Sequence, residues 1–294
     1  KIEGTQSSVS DVFLHEVGEG TKYHDVIEVS NYKRAMEYSI GQLKNRPLSQ
    51  GLVKEIHGIL LEGVRGEGKR GQYREEQVWV GQTGDTIERA TYVPPENIFV
   101  QEYMDNLETY LNSDSDDPLI QGALFHYQFE AVHPFNDGNG RIGRLLIPLL
   151  LHYKRKIDFP ILYLSGYFEK SRDRYIEALH RVDTDKDYEF WIDYFLSAVI
   201  EQAMQTQNLI RAILSLHEKI KTETEQLKSP YISRLVDYLF KSPVFNTSMV
   251  KRDIKANRST VLRLIAILEG MGVIKKLNVR KNRIYVFTEL LDLL

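Results

Sequence analysis

Apolar residues recur at helical spacing along most of this chain. Leu52, Ile56, Ile59 and Leu60 fall three and four apart, and the Arg46-Pro47-Leu48-Ser49 break separates the helix they predict from an earlier one, giving two helices between Asn31 and about Gly63. Gln77-Val78-Trp79-Val80 and Ala90-Thr91-Tyr92-Val93 depart from that pattern. They are short β-prone runs on either side of the turn-rich Gln82-Thr83-Gly84-Asp85, so they predict a hairpin ended by Pro94-Pro95. A lone hairpin is marginally stable in water, which implies that this one leans on helices and stays mobile. Helical spacing resumes over Asn97 to Leu111, from Pro118 to His133, over Ile142 to Tyr153, Tyr167 to His180 and Tyr188 to Leu216.

The stretch from about Ile210 to Lys228 keeps the helical pattern but grows more charged, and 217–228 is the expected linker. Beyond it the pattern changes scale. Helices are expected over Ser233 to Phe240, from Thr247 to Ile254 and over Arg258 to Met271, then strands at Val273 to Leu277 and Ile284 to Phe287 around a basic turn with Arg280, Lys281 and Arg283. That is the pattern of a helix-turn-helix with a wing, with Ile254, Val261, Leu262, Ile265, Leu268 and Ile274 as its core. The expected fold class is mainly α: a helical core with a β-hairpin flap, followed by a small α+β winged helix-turn-helix domain.

Composition narrows the class. With 42% hydrophobic and 27% charged residues in 294, a sizeable core and about two domains are expected. No apolar run approaches the roughly 18 residues of a membrane span, so no membrane partner is expected. The chain has no cysteine, which excludes disulfides, thiolate catalysis and cysteine-ligated zinc and fits a cytoplasmic setting. It starts at Lys1 rather than Met and reads as lacking its natural beginning; no signal peptide is visible in what is present. The net charge of -3 hides an asymmetry: from Ser229 onward there are 12 Lys and Arg against 5 Asp and Glu, leaving 26 against 36 for the rest.

The candidate chemistry lies in His133-Pro134-Phe135-Asn136-Asp137-Gly138-Asn139-Gly140-Arg141-Ile142-Gly143-Arg144. Gly138 and Gly140 let backbone N–H groups turn toward an anion, and the helix that follows adds the positive end of its dipole, which makes a phosphate cradle. Arg141 and Arg144 sit three apart in the first turn, on one side of the helix, where each can fork donors onto phosphate oxygens. Positive charge at a helix N-terminus is locally unfavourable, so a polyphosphate partner explains both. Asp137 is placed to hold Mg²⁺ against the phosphates, and the near-neutral pKa typical of histidine suits His133 to take a proton from an incoming hydroxyl.

At these residues the sequence resembles the Fic family, whose motif HPFx(D/E)GNGRxxR it matches throughout. The resemblance implies a mostly helical catalytic domain over 31–216 that binds ATP. It implies His133 as general base and Asp137 on Mg²⁺. It also implies the backbone of Gly138, Asn139 and Gly140 around the α- and β-phosphates, Ile142 and Gly143 in the same turn, and Arg141 and Arg144 on the outer phosphates. Related Doc-type kinases carry lysine where Gly140 stands and transfer the γ-phosphate, so Gly140 favours AMP transfer to a Ser, Thr or Tyr hydroxyl of a target protein. The Gln77 to Val80 arm resembles the flap along which a target segment aligns, and Tyr167, Lys170 and Ser171 fall where relatives contact adenosine.

The amino end, Lys1-Ile2-Glu3-Gly4-Thr5, resembles the second half of the family's inhibitory motif (S/T)xxxE(G/N). This implies an inhibitory segment over 1–30 whose Glu3 pairs with Arg144 and removes a γ-phosphate contact; the same glutamate could instead orient water for removal of AMP. The competing class is a DNA-binding regulator acting through 229–294, where Lys251, Arg252, Lys255, Arg258 and Arg263 could neutralise phosphates. A third reading keeps the Fic core and changes the donor to UMP, phosphocholine or phosphate. A homo-oligomer is kept open as a partner, and self-modification as a first observation.

Overall fold

The computed structural model describes residues 9–17, 24–81, 84–278 and 283–294. Glu3, Gln82, Thr83, Arg280 and Lys281 lie outside them. Among the described residues the helices are α1 Val9–Glu16, α2 His24–Leu43, α3 Gln50–Leu60, α4 Val100–Leu111, α5 Pro118–Val132, α6 Asn139–Tyr153, α7 Ser165–Lys170, α8 Arg172–Asp185, α9 Tyr188–Thr224, α10 Ile232–Lys241, α11 Thr247–Ile254, α12 Arg258–Gly270 and α13 Thr288–Leu293. The strands are β1 Val244–Asn246, β2 Lys275–Asn278 and β3 Arg283–Val286. No described helix is long and apolar enough to cross a membrane. The chain divides into two compact units, one built on Ile27–Ala203 and the other on Met204–Leu294 with α1.

In the first unit local signals set the helix starts. Ser49 caps α3 by accepting from the Leu52 amide, and Asp117 caps α5 ahead of Pro118, whose missing N–H is not needed at that position. The α5–α6 pair forms the centre, and both helices are apolar around most of their circumference because they serve two cores at once. Phe125, Phe129 and Val132 face a core shared with α3 and α4, whereas Ala123 and Tyr127 face one built on Trp191, Phe195 and Phe168. Each fully buried large side chain contributes about 1.5–3 kcal/mol. The Trp191 indole N–H also donates to the Ala123 carbonyl at 2.8 Å, so this large ring is buried with its polar atom satisfied.

The expected flap is present as a loop with a hairpin's topology rather than as two strands. Val80 and Tyr92 form an isolated antiparallel bridge, with Val80 N donating to Tyr92 O at 2.8 Å and Tyr92 N to Val80 O at 3.2 Å. The ladder ends there for local reasons. The Trp79 indole donates to the Asp85 carbonyl, a 3-10 turn spans Ile87–Arg89, and Pro94-Pro95 contribute no donors. The expected helix over Tyr167 to His180 is two helices, α7 and α8, that meet at Ser171.

The second unit contains the helices and the two later strands of the winged-helix reading, and three elements that reading lacks. β1 joins the sheet in the order β1-β3-β2, with Val244 opposite Val286 and Asn246 opposite Ile284, and α13 follows β3. Asn246 caps α11 by accepting from Ser248 and Met249 N. The third is α1: Phe13, Leu14 and Val17 pack on Val244, Ile284 and Val286 of the sheet. The segment read as a linker continues α9 to Thr224 and then makes a 3-10 turn, Glu225–Leu227. Of the expected core, Ile254, Val261, Ile265, Leu268 and Ile274 are buried, and Leu262 is half-buried.

Candidate active site

The candidate loop joins the two central helices. Asn139 closes it: its side chain donates to Phe135 O at 2.8 Å and accepts from Phe135 N at 2.9 Å, so a buried amide ties the turn into a ring. Phe135 is itself fully buried and stacks on the His57 imidazole at 3.7 Å between centroids. Gly138 has φ +77, which favours glycine, and a Cβ there would also stand tight, 3.1 Å, against the Leu61 side chain. Asn139 and Gly140 open α6, and the first-turn N–H groups of a helix lack intrahelical acceptors, so they form the anion-facing end of the loop.

His133 sits at the C-terminus of α5 with φ 49 and ψ 59, a left-handed conformation that a non-glycine residue adopts at a cost of roughly 1 kcal/mol or more. Its Nδ1 lies 3.3 Å from the Glu130 carbonyl, which can only accept, so the proton of the neutral ring is at Nδ1 and the basic atom is Nε2. The backbone around it is held by Arg74. Arg74 Nε donates to His133 O at 2.9 Å, one terminal nitrogen donates to Val132 O at 3.3 Å, and the Arg74 amide donates to Pro134 O at 2.9 Å.

Asp137 Oδ1 accepts from its neighbour Gly138 N at 2.6 Å and lies 3.3 Å from Arg141, while Oδ2 pairs with Arg65 Nε at 2.7 Å. Arg65 is 79% exposed, so this pair is worth little and is easily exchanged for another cation; Asp137 is 22% exposed. The two motif arginines part company. Arg141 is only 3% exposed and donates to Glu28 of α2 at 3.0 Å as well as to Asp137, so it is enclosed by carboxylates. Arg144 lines a small cleft with Ser165, Phe168, Glu169, Arg172 and Tyr175. Ile142 and Gly143 are buried under the turn; a Cβ on Gly143 would meet Glu130 Oε1 at 2.5 Å and Phe129 at 3.2 Å.

Lys170 and Ser171 are not among the residues lining that cleft. Lys170 Nζ is 3.7 Å from Glu201, and the Ser171 hydroxyl is engaged with Tyr167 O and Tyr194 OH, both at 2.8 Å. Their neighbours Glu169 and Arg172 take the positions beside Arg144. A roomier cleft of about 600 Å³, lined by Tyr103, Tyr110, Tyr127 and Tyr188 among others, contains no residue of the 133–144 stretch. The convergent polar groups are on the loop, and chemistry is assigned there.

Four residues of the site carry no sequence motif: His57, Arg65, Arg74 and Glu28. His57 is buried, accepts from Gly71 N at 2.8 Å through Nδ1, and therefore carries its proton on Nε2, which donates to Asp137 O at 2.9 Å. The loop after α3 also presses on the site directly. Gly66 has φ +87, and a Cβ there would lie 2.9 Å from Asp137 Cβ. Gly66→Ala is expected to lower unfolding stability by about 2 kcal/mol through backbone strain and displacement of Asp137. An unchanged urea midpoint would refute this packing.

Lys251, Arg252, Lys255, Arg258, Arg263 and Arg283 are exposed in the second unit. Among the described residues no group of three or more His, Cys, Asp or Glu could hold a metal by itself. Asp137 still suits Mg²⁺, which commonly takes one or two carboxylates and completes its shell with water and substrate phosphates.

Residues 47–151 match the family model described as the Fic/DOC family, and residues 1–41 match the one described as Fic/DOC family N-terminal. The chain is 31% identical over 162 residues to the protein adenylyltransferase fic-1 of Caenorhabditis elegans, covering 54% of this chain and 29% of that protein. It is 35% identical over 130 residues to the protein adenylyltransferase Fic of Aedes aegypti, 42% of this chain and 24% of the relative. With a probable protein adenylyltransferase of Aquifex aeolicus it shares 26% identity over 179 residues, 58% of this chain and 50% of that one. The chain thus spans no more than half the length of these relatives. Among solved structures, a Fic family protein from Desulfovibrio desulfuricans G20 superposes with a TM-score of 0.59 at 18% identity, over 97% of this chain and 82% of that one. Residues 134–508 of Fic-1 from C. elegans do so with a TM-score of 0.51 at 25% identity, over 70% and 61%.

Proposed function

The domain spanning residues 47–151 belongs to the Fic/DOC family, and from that premise we propose that the chain transfers AMP from ATP to a hydroxyl side chain of a protein. The observation that carries this reading is His133 held at the end of α5, its Nδ1 turned to the Glu130 carbonyl, directly before the glycine turn that opens the N-terminus of α6.

The reaction is a phosphoryl-centre substitution. The oxygen of a Ser, Thr or Tyr hydroxyl attacks the α-phosphorus in line, its proton passes to His133 Nε2, and the bond to the bridging oxygen breaks so that pyrophosphate leaves. Pre-oriented N–H groups at the start of α6 meet the phosphate charge, and Arg144 takes the outer phosphates. Arg141, enclosed by Glu28 and Asp137, shapes the turn more than it binds nucleotide. Asp137 would hold Mg²⁺ once released from the exposed Arg65; the ion supplies neutralisation of the phosphate charge. The flap arm Gln77 to Val80 receives the target segment by backbone pairing. Glu3, outside the described residues, is proposed to inhibit by occupying Arg144.

The deciding measurement is incubation of Glu3→Gly protein with ATP labelled at the α- or the γ-phosphate. Label reaching protein from the α position alone is expected, and label from the γ position would replace AMP transfer with phosphate transfer. An inhibited state favoured by about 2–3 kcal/mol makes the variant roughly 30- to 160-fold more active than the parent. Equal rates would remove the inhibitory role of Glu3 and leave the chemistry standing.

A further inference from the structure

The sequence around Arg74 reads as a solvated charge run, with Lys69, Arg70, Glu75 and Glu76 about it, yet Arg74 is only 2% exposed. A buried guanidinium is costly unless its donors are satisfied. Here the hydrogen bonds of the side chain end on main-chain carbonyls: Nε on His133 at 2.9 Å, one terminal nitrogen on Glu76 at 3.2 Å, the other on Pro95 and on Val132 at 3.3 Å. Its amide adds Pro134 O at 2.9 Å.

Those acceptors fall in two groups. Val132, His133 and Pro134 are the backbone on both sides of the candidate base, which stands in the left-handed region. Glu76 and Pro95 are the bases of the two flap arms, just outside the Val80–Tyr92 bridge. We infer that Arg74 is a positioning residue that fixes the flap and the His133 backbone in one register, so that a hydroxyl aligned on the flap arrives in line with His133 Nε2. The inference rests on the AMP-transfer reading for its catalytic consequence, but not for the mechanical one.

The residue type follows from this task. Acceptors on two separate segments need a planar fork with several fixed donors, whereas the ammonium of lysine is a single point on a flexible stem. Tyr92 reinforces the same seam, its hydroxyl donating to Ala131 O at 2.9 Å. Its hydroxyl ends one residue short of the 132–134 carbonyls that Arg74 holds.

The test uses the full chain with Glu3→Gly as parent and compares Arg74→Lys and Arg74→Ala. Self-modification with α-labelled ATP should show kcat reduced about 100-fold in both, with the KM for ATP within about threefold of the parent, because misplacing reacting groups by an ångström costs about that much. Added guanidinium ion should restore part of the alanine variant's turnover. Independently of activity, amide hydrogen exchange should rise together in 76–80, 91–95 and 132–135, while α3 and α6 keep their protection. The lysine variant keeps charge and stem and decides the matter if the alanine variant does not fold. Retained kcat with parental exchange would overturn the clamp, as would a rise confined to the flap. A parent that transfers no label from ATP would instead refute the AMP-transfer reading, and the exchange pattern would still decide whether Arg74 joins the two segments.

Discussion

Replacing His133 by glycine is expected to abolish transfer of α-phosphate label while leaving the protein as stable as the parent or more stable. Removal of a general base commonly costs 10²- to 10⁴-fold in rate. Stability should move the other way because of where the residue sits. His133 follows the last turn of α5 with φ 49, the position and backbone conformation in which helices most often carry glycine. Its ring is half-buried, so the packing lost with it is less than for a fully buried side chain. Relief of the left-handed strain is worth about 1 kcal/mol, partly offset by the greater chain entropy of glycine. Thermal unfolding and label transfer measured on the same preparation separate the two effects. A glycine variant that retains transfer would exclude His133 as the base; one that is inactive and much less stable would show that the ring is held for packing.

Acidification should destabilise the first unit steeply between about pH 6.5 and 4. Burial pushes His57 down to about 4, helped by the nearby Arg141 charge and opposed by its bond to the Asp137 carbonyl. Burial pushes His126 down to about 3, with the Arg144 charge acting in the same direction. Both rings stay neutral in the folded chain while unfolded histidines protonate near 6.5, so between these values the unfolded state binds more protons and stability falls with falling pH. The contribution is whole above 6.5 and is lost progressively below it, on the order of 3 kcal/mol for His57 alone. Unfolding free energies at a series of pH values should give a slope approaching two protons. His126→Phe should lose one of them, since His126 already stacks between Phe168 and Trp191 in an aromatic box that can accept another ring. Equal slopes for variant and parent would mean that His126 titrates normally.

How much of this was legible depends on whether the signal was local. Helix periodicity, the Ser49 and Asp117 caps and the glycine turn are written in adjacent residues, so α3, α5 and the 133–144 loop could be placed from sequence. The short strand β1 could not, because it exists only by pairing with β3 some forty positions later. The same holds for the site. His133, Asp137 and Gly138 lie in one run, whereas Arg74 and His57 act on that run from distant positions through the main chain. Arg74 looks solvated in sequence, and His57 falls on the apolar face of α3, where a histidine reads as core. Arg141 shows the limit of helical spacing: its place in the first turn of α6 is written in the motif, but Glu28, which engages it together with Asp137, comes from a helix more than a hundred positions earlier.

The seat of α1 on the sheet of the second unit has a bearing on how the chain is made. Phe13 and Leu14 are translated before their partners Val244, Ile284 and Val286, which follow more than two hundred residues later. At 5–20 residues per second that is a wait of roughly 10–50 s with an oily helix uncovered. For the same reason the carboxy-terminal unit cannot be trimmed away cleanly. Cutting before β1 would strand α1 without its cover, so a soluble truncation should also lose α1 or carry polar residues at Phe13 and Leu14.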